Sequence, residues 1–212
     1  MLDMTVSDLI ARIIVLVVAF TVHEFAHAYT ADRFGDPTPR AMGRLTLNPL
    51  AHLDPLGSLL LIVAGFGWAK PVLVNPDILQ RRHPAAMMLV ALAGPASNLL
   101  LAILAAIPYQ LGLVTLSAPG ALLPSPFQLL QAFVFINLLL MFFNLIPIFP
   151  LDGEKILTYF LPPSGKDFMA SIRPYGSLIL LGAIFLLPRL GIDVLGYLVW
   201  EPMQALYRVL MG

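Results

Sequence analysis

Long apolar runs alternate with short polar breaks along this chain, and the lengths of the runs decide what they are. A bilayer core about 30 Å thick takes roughly 20 helical residues, with a few polar ones allowed at the ends. Residues 9–29, 85–107, 127–146 and 174–187 fit that requirement. A fifth run, residues 194–210, carries Glu201, Pro202 and Arg208 and reads either as a span or as a helix lying in the interface. Between the first two spans, residues 56–66 are apolar and too short to cross, and residues 65–76 then bring glycines and prolines. Irregular backbone at membrane depth persists only against protein or water, so this stretch reads as a short re-entrant or hairpin element offering a strand edge. The pattern predicts an all-α polytopic membrane protein with about four to six transmembrane helices.

Composition agrees. Of 212 residues, 59% are hydrophobic and 11% charged, and mean hydropathy is +0.87, whereas soluble domains are about 25% charged. One membrane domain, residues 1–212, accounts for the length. The 12 basic and 12 acidic residues cancel, with no basic cluster, which argues against a nucleic-acid partner. Cysteine is absent, so any protein-held metal uses His, Asp or Glu. At the N-terminus, Asp3 and Asp8 stand where a signal peptide needs basic residues, and no small-residue cleavage site follows, so the first run reads as a retained transmembrane helix.

Charge also orients the chain. Residues 31–84 hold Arg33, Arg40, Arg44, Lys70, Arg81 and Arg82, whereas residues 108–126 hold no charge. Basic loops stay inside, which puts residues 31–84 in the cytoplasm and the N-terminus outside. Residues 147–173, with Lys155, Lys166 and Arg173, return to the cytoplasmic side.

The candidate chemistry lies toward the inner end of the first run, in His23-Glu24-Phe25-Ala26-His27. Histidines four apart in a helix lie about 40° apart around the axis, so both imidazoles reach one metal ion, with Glu24 beside them as a base for its water. Ionisable groups within a membrane helix are costly, which favours function over a chance match to a short pattern. A zinc hydrolase needs a third protein ligand and an open fourth position. His52, Asp54, His83 and Asp152 are the candidates. Asp152 follows two prolines just beyond the third span, where ligand and helix N-cap are equally good readings. His52 and Asp54 fit a turn or capping segment, and His83, beside Arg81 and Arg82, fits the interface.

Taken together, three motifs give the chain a specific likeness. The His23–His27 pattern, the Asn144-x-x-Pro147-x-x-Pro150-Leu151-Asp152-Gly153 stretch and Gly94-Pro95-Ala96-Ser97-Asn98 resemble the site-2 protease family of intramembrane zinc metalloproteases. Gly67-Trp68-Ala69-Lys70-Pro71-Val72, followed by Val74-Asn75-Pro76, is similar to a compact prokaryotic branch of it, with Leu73 where that branch often has proline. The resemblance implies one Zn²⁺ per chain held by His23, His27 and Asp152, with Glu24 as general base. It also implies that the amide of Asn144, and less strongly that of Asn98, faces the site to steady an oxyanion, although Gly94 and Ala96 beside Asn98 equally suit close helix contact. The implied activity is hydrolysis of a peptide bond in or near a transmembrane segment of a protein substrate, in the cell membrane, with the active site toward the cytoplasm. Two rival readings fit less well. A metal carrier would show inverted repeats and polar residues through several helices, and an inactive scaffold would not need Glu24.

Overall fold

The computed structural model describes residues 5–57, 68–117 and 122–212. In chain order its helices are α1 (Val6–Arg33), α2 (Thr38–Ala41), α3 (Pro76–Arg82), α4 (Ala86–Gln110), α5 (Pro126–Asn144), α6 (Asp152–Phe160), α7 (Pro163–Leu190) and α8 (Glu201–Met211). Of these, α1, α4, α5 and α7 are long and apolar enough to cross a membrane. The chain is thus an all-α, multi-pass membrane protein, as its hydropathy pattern predicts. Among the described residues there is no strand, only an isolated antiparallel bridge between Leu53 and Ala69. The short apolar element expected at residues 56–66 falls largely outside the described residues.

Local chemistry starts the two central helices. Thr5 and Asp8 form a reciprocal capping box before α1, and Ser125 with Gln128 does the same before α5, where Pro126 takes the first helical position. With 28 residues, α1 is about 42 Å long, so it crosses a bilayer core with length to spare.

The core is organised by a fourfold spacing. Ser7, Ala11, Val15, Ala19, His23, His27 and Ala31 form one buried ridge of α1. The facing ridge of α4 is Ala86, Val90, Gly94 and Asn98, and Ala102 and Ala106 continue the same spacing. Small residues on i, i+4 rows let helix backbones approach closely, which is how helices associate in lipid where apolar burial alone gives no preference. Helix α5 packs on α4 through Val134 and Leu138 against Ala102 and Ala106. Residues 194–210 prove to be a π turn, Gly196–Trp200, leading into α8. That helix lies along α4 and α5, burying Met203 and Met211, and Gln110 Nε2 donates to the Leu210 carbonyl at 2.7 Å.

Residues 68–75 run without helix against α1 and α4, tethered at each end by a buried charge. Arg44, only 3% exposed, donates to the carbonyls of Ala51 (2.6 Å), Lys70 (3.1 Å) and Pro71 (3.3 Å). Asp36, fully buried, accepts from the N–H of Asn75 at 2.6 Å and from that of Thr38 at 3.0 Å. Hydrogen bonds to charged groups contribute about 1.5–3 kcal/mol each. Replacing Arg44 by Met is expected to speed amide exchange at Lys70 and Val72 at least about tenfold, the equivalent of about 1.4 kcal/mol of lost protection. Hydrogen–deuterium exchange read by mass spectrometry checks this, with amides in the middle of α4 unchanged.

Candidate metal centre

Helix α1 presents His23 and His27 on one face, with ring centroids 4.6 Å apart in an edge-to-face arrangement. Each ring is oriented from behind by an acceptor on α4. His23 Nδ1 lies 2.6 Å from Asn98 Oδ1, and His27 Nδ1 lies 2.7 Å from the Val90 carbonyl oxygen. A ring nitrogen facing an acceptor carries the proton, so Nδ1–H donates in both rings and each Nε2 keeps its lone pair. Those two Nε2 atoms converge to 3.0 Å. Asp152 Oδ2 completes the triangle, 3.2 Å from His23 Nε2 and 3.1 Å from His27 Nε2.

Three donors at about 2.0–2.1 Å from one tetrahedral zinc ion stand roughly 3.3 Å apart, close to the spacing seen. Two lone pairs and a carboxylate oxygen at this separation repel unless positive charge lies among them. The room is supplied by Gly94, where a Cβ would lie 2.5 Å from His27 Nε2 and 2.6 Å from His23 Nε2. Among the described residues, His23, His27 and Asp152 are the group able to hold a metal ion. Two imidazoles, one carboxylate and no thiolate suit catalytic zinc with an open position.

Asp152 reaches this point because α5 ends at Asn144 and the Pro147–Pro150 link folds the chain back. Gly153 sits so close against the Leu145 and Ile146 carbonyls that a Cβ would collide with them. Asp152 opens α6, yet its side chain caps no backbone N–H. Oδ2 faces the imidazoles, while Oδ1 lies 3.4 Å from Lys155 Nζ. The Asp152 carboxylate thus lies beside both histidines.

A cavity of about 130 Å³ opens over the triangle, lined also by Glu24, Val72, Asn144 and Lys155. Glu24 Oε2 accepts the Val72 N–H at 2.9 Å, so the extended segment holds the carboxylate beside the two histidines. Asn144 lines the cavity, with one N–H of its amide committed to the Leu140 carbonyl at 3.0 Å. Asn98, by contrast, lies behind His23 as its acceptor, and Ala96 is on the exposed side of α4. The other ligand candidates lie elsewhere. His52 is fully buried with Nε2 at the Thr46 carbonyl. Asp54 caps the Gly57 N–H, and the exposed His83 accepts the Ala85 N–H. Four parts of the site escape the sequence reading: the Val90 carbonyl, the Val72 N–H, Lys155, and Asn137, whose Oδ1 accepts from Asn98 Nδ2 at 2.8 Å. Two are backbone groups without a sequence signal, but Val90 and Asn98 flank Gly94 at four-residue spacing, a register that marks one face of α4.

A membrane bundle that gathers two histidines, an aspartate and a glutamate round one small cavity defines a class, the membrane-embedded metallopeptidase. Comparison with known proteins agrees: residues 11–122 and 111–187 match the model of peptidase family M50. The chain belongs to that family, the site-2 protease family. It is 41% identical over 197 residues to YwhC of Bacillus subtilis, covering 91% of this chain and 85% of that protein. Rip2 of Mycolicibacterium smegmatis is 37% identical over 165 residues, covering 74% of this chain and 60% of that protein. Rip2 of Mycobacterium tuberculosis is 34% identical over 194 residues, covering 86% and 69%. Each of the three bears the name "Putative zinc metalloprotease". No solved structure matches.

The role given to Gly94 has a direct consequence. Gly94→Ala improves helix propensity, by up to about 1 kcal/mol, but puts a methyl group among the donor atoms. The variant is expected to fold with unchanged helix content and to carry well under half the wild-type zinc, measured by elemental analysis after dialysis.

Proposed function

We propose that this zinc metalloprotease hydrolyses a peptide bond within or beside a transmembrane segment of a protein substrate, with residues 1–212 acting as one intramembrane domain. The observation that carries this reading is the triangle of His23 Nε2, His27 Nε2 and Asp152 Oδ2, with sides of 3.0–3.2 Å, in one cavity with Glu24. His23, His27 and Asp152 are the metal ligands, one Zn²⁺ per chain. When bound there, zinc lowers the pKa of a water molecule and polarises a carbonyl group. Glu24 is the general base: it accepts a proton from the attacking water and returns it to the leaving amine as the peptide bond breaks. The Val72 N–H on Oε2 leaves Oε1 of Glu24 with no partner among the described residues, available for that transfer. Asn144 keeps its second amide hydrogen for the oxyanion that forms on the scissile carbonyl.

The site of action is the cell membrane, and the basic residues within 31–84 and 147–173 support an active site toward its cytoplasmic side. A helical substrate engages its own amides in hydrogen bonds, so the scissile segment must unwind before attack. The partners are thus a transmembrane protein and the bilayer, with no nucleic acid.

The test is cleavage of purified single-span substrates with and without a zinc chelator. His23→Ala, His27→Ala and Asp152→Ala are each expected to lower bound zinc. Glu24→Gln should keep full zinc and lose turnover by about 10²–10⁴-fold, the usual contribution of a general base. Wild-type turnover in Glu24→Gln, or loss of its zinc, would overturn the assignment. Orientation is tested separately, since the chain has no cysteine of its own. Cysteines placed at Arg81 and at Ser117 are expected to react with an impermeant reagent in intact cells only at Ser117, and the reverse pattern would invert the topology.

A further inference from the structure

We propose that Asn137, in the middle of α5, is a positioning residue for the metal site, acting through Asn98 to fix the tautomer and orientation of His23. This rests on the reading of His23 as a zinc ligand. Asn98 and Asn137 are both fully buried and join three helices in one line of hydrogen bonds. His23 Nδ1–H donates to Asn98 Oδ1 at 2.6 Å. Asn98 Nδ2 donates to Asn137 Oδ1 at 2.8 Å, and Asn137 Nδ2 donates to the Phe133 carbonyl at 2.9 Å.

The direction of this line matters because an amide is nearly symmetric in shape. Were Asn98 turned over, its NH₂ would face His23 Nδ1, the imidazole proton would move to Nε2, and the lone pair that binds metal would be gone. What opposes the turn is Asn137 Oδ1, which would then face another oxygen. Asn137 is itself prevented from turning by the Phe133 carbonyl, a backbone group one helical turn earlier that cannot reverse. Polarity is therefore passed from a fixed backbone acceptor on α5, through two amides, to a ring on α1. A side-chain hydrogen bond between membrane helices averages only about 0.6 kcal/mol, so helix adhesion alone gives little reason to bury two amides here.

The probe is Zn²⁺ itself, with affinity measured by chelator competition on the purified full chain. Asn137→Leu keeps the size and removes the acceptor, and it is expected to weaken zinc binding about 10–100-fold, the usual effect of losing an outer partner of a metal-bound histidine. Asn137→Asp presents an oxygen to Asn98 whether it is ionised or protonated, and should bind zinc as tightly as wild type. In the metal-free protein, ¹⁵N shifts of His23 are expected to report the Nδ1–H tautomer in wild type and Asn137→Asp, and a mixture in Asn137→Leu. In an Asn98→Ala background, Asn137→Leu should add no further loss. Wild-type affinity in Asn137→Leu, or an equal loss in Asn137→Asp, overturns the proposal. If Asn137→Leu does not fold, Asn137→Asp decides alone, a tenfold loss of affinity counting against. His23→Ala separates the two levels: unchanged zinc there refutes the ligand reading, whereas zinc lost there but kept at full affinity in Asn137→Leu refutes only the role of Asn137.

Discussion

Everything at the metal centre depends on how closely α1 and α4 approach at Gly94. The His23 and His27 rings point from one helix into the space that a side chain on the other would fill. If the backbones stood farther apart, the same rings would lose the Asn98 and Val90 acceptors that orient them from behind. Contact this close needs small residues along the whole interface. Ala11, Ala19 and Ala31 on the α1 ridge and Ala86 and Gly94 on the α4 ridge provide it. One spacing thus sets the adhesion of the bundle and the position of the histidines, which occupy two steps of the same ridge.

At membrane depth the alternative to an internal hydrogen bond is an unsatisfied polar group, which costs far more than it does at a wet surface. That constraint accounts for the extent of the polar framework around so few functional atoms. Each histidine has its own acceptor, and Asn98 has Asn137, which has the Phe133 carbonyl. Arg44 illustrates the same constraint. As a buried cation with no carboxylate within ion-pairing distance among the described residues, it is satisfied by three backbone carbonyls instead, and in doing so it fixes the course of residues 70–71.

Much of this was legible in the sequence because lipid imposes a coarse and strict pattern. Spans had to be long apolar runs, and a His-Glu-x-x-His set inside one of them had few explanations apart from metal. The candidate third ligand, Asp152, was ambiguous, since a residue at a helix start serves equally well as cap or ligand until its rotamer is known. In the structure the Asp152 carboxylate faces the two histidines and Lys155, and accepts no backbone N–H among the described residues. Asn137 was hidden for another reason. It lies in an unbroken apolar run, and a single amide there looks like any helix-bridging residue until the direction of its hydrogen bonds is seen. Asn98 was visible as a motif residue, but whether it faced the cavity or the back of a histidine depended on helix rotation, which one sequence does not fix.

The three atoms able to hold a metal ion and the Glu24 carboxylate are held by different parts of the molecule. His23 and His27 belong to one continuous helix, and Asp152 is locked by the contact of Gly153 with the carbonyls at the end of α5, so the metal triangle is a property of the helical bundle. Glu24 shares α1 with the histidines, but its carboxylate is fixed by the Val72 N–H, in a segment that is not helical and depends on Arg44 and Asp36 for its path. A rearrangement of residues 68–75 would thus release the Glu24 carboxylate while leaving the three donor atoms in place. The segment that lines the cavity through Val72 and Val74 is the one that aims the Glu24 carboxylate.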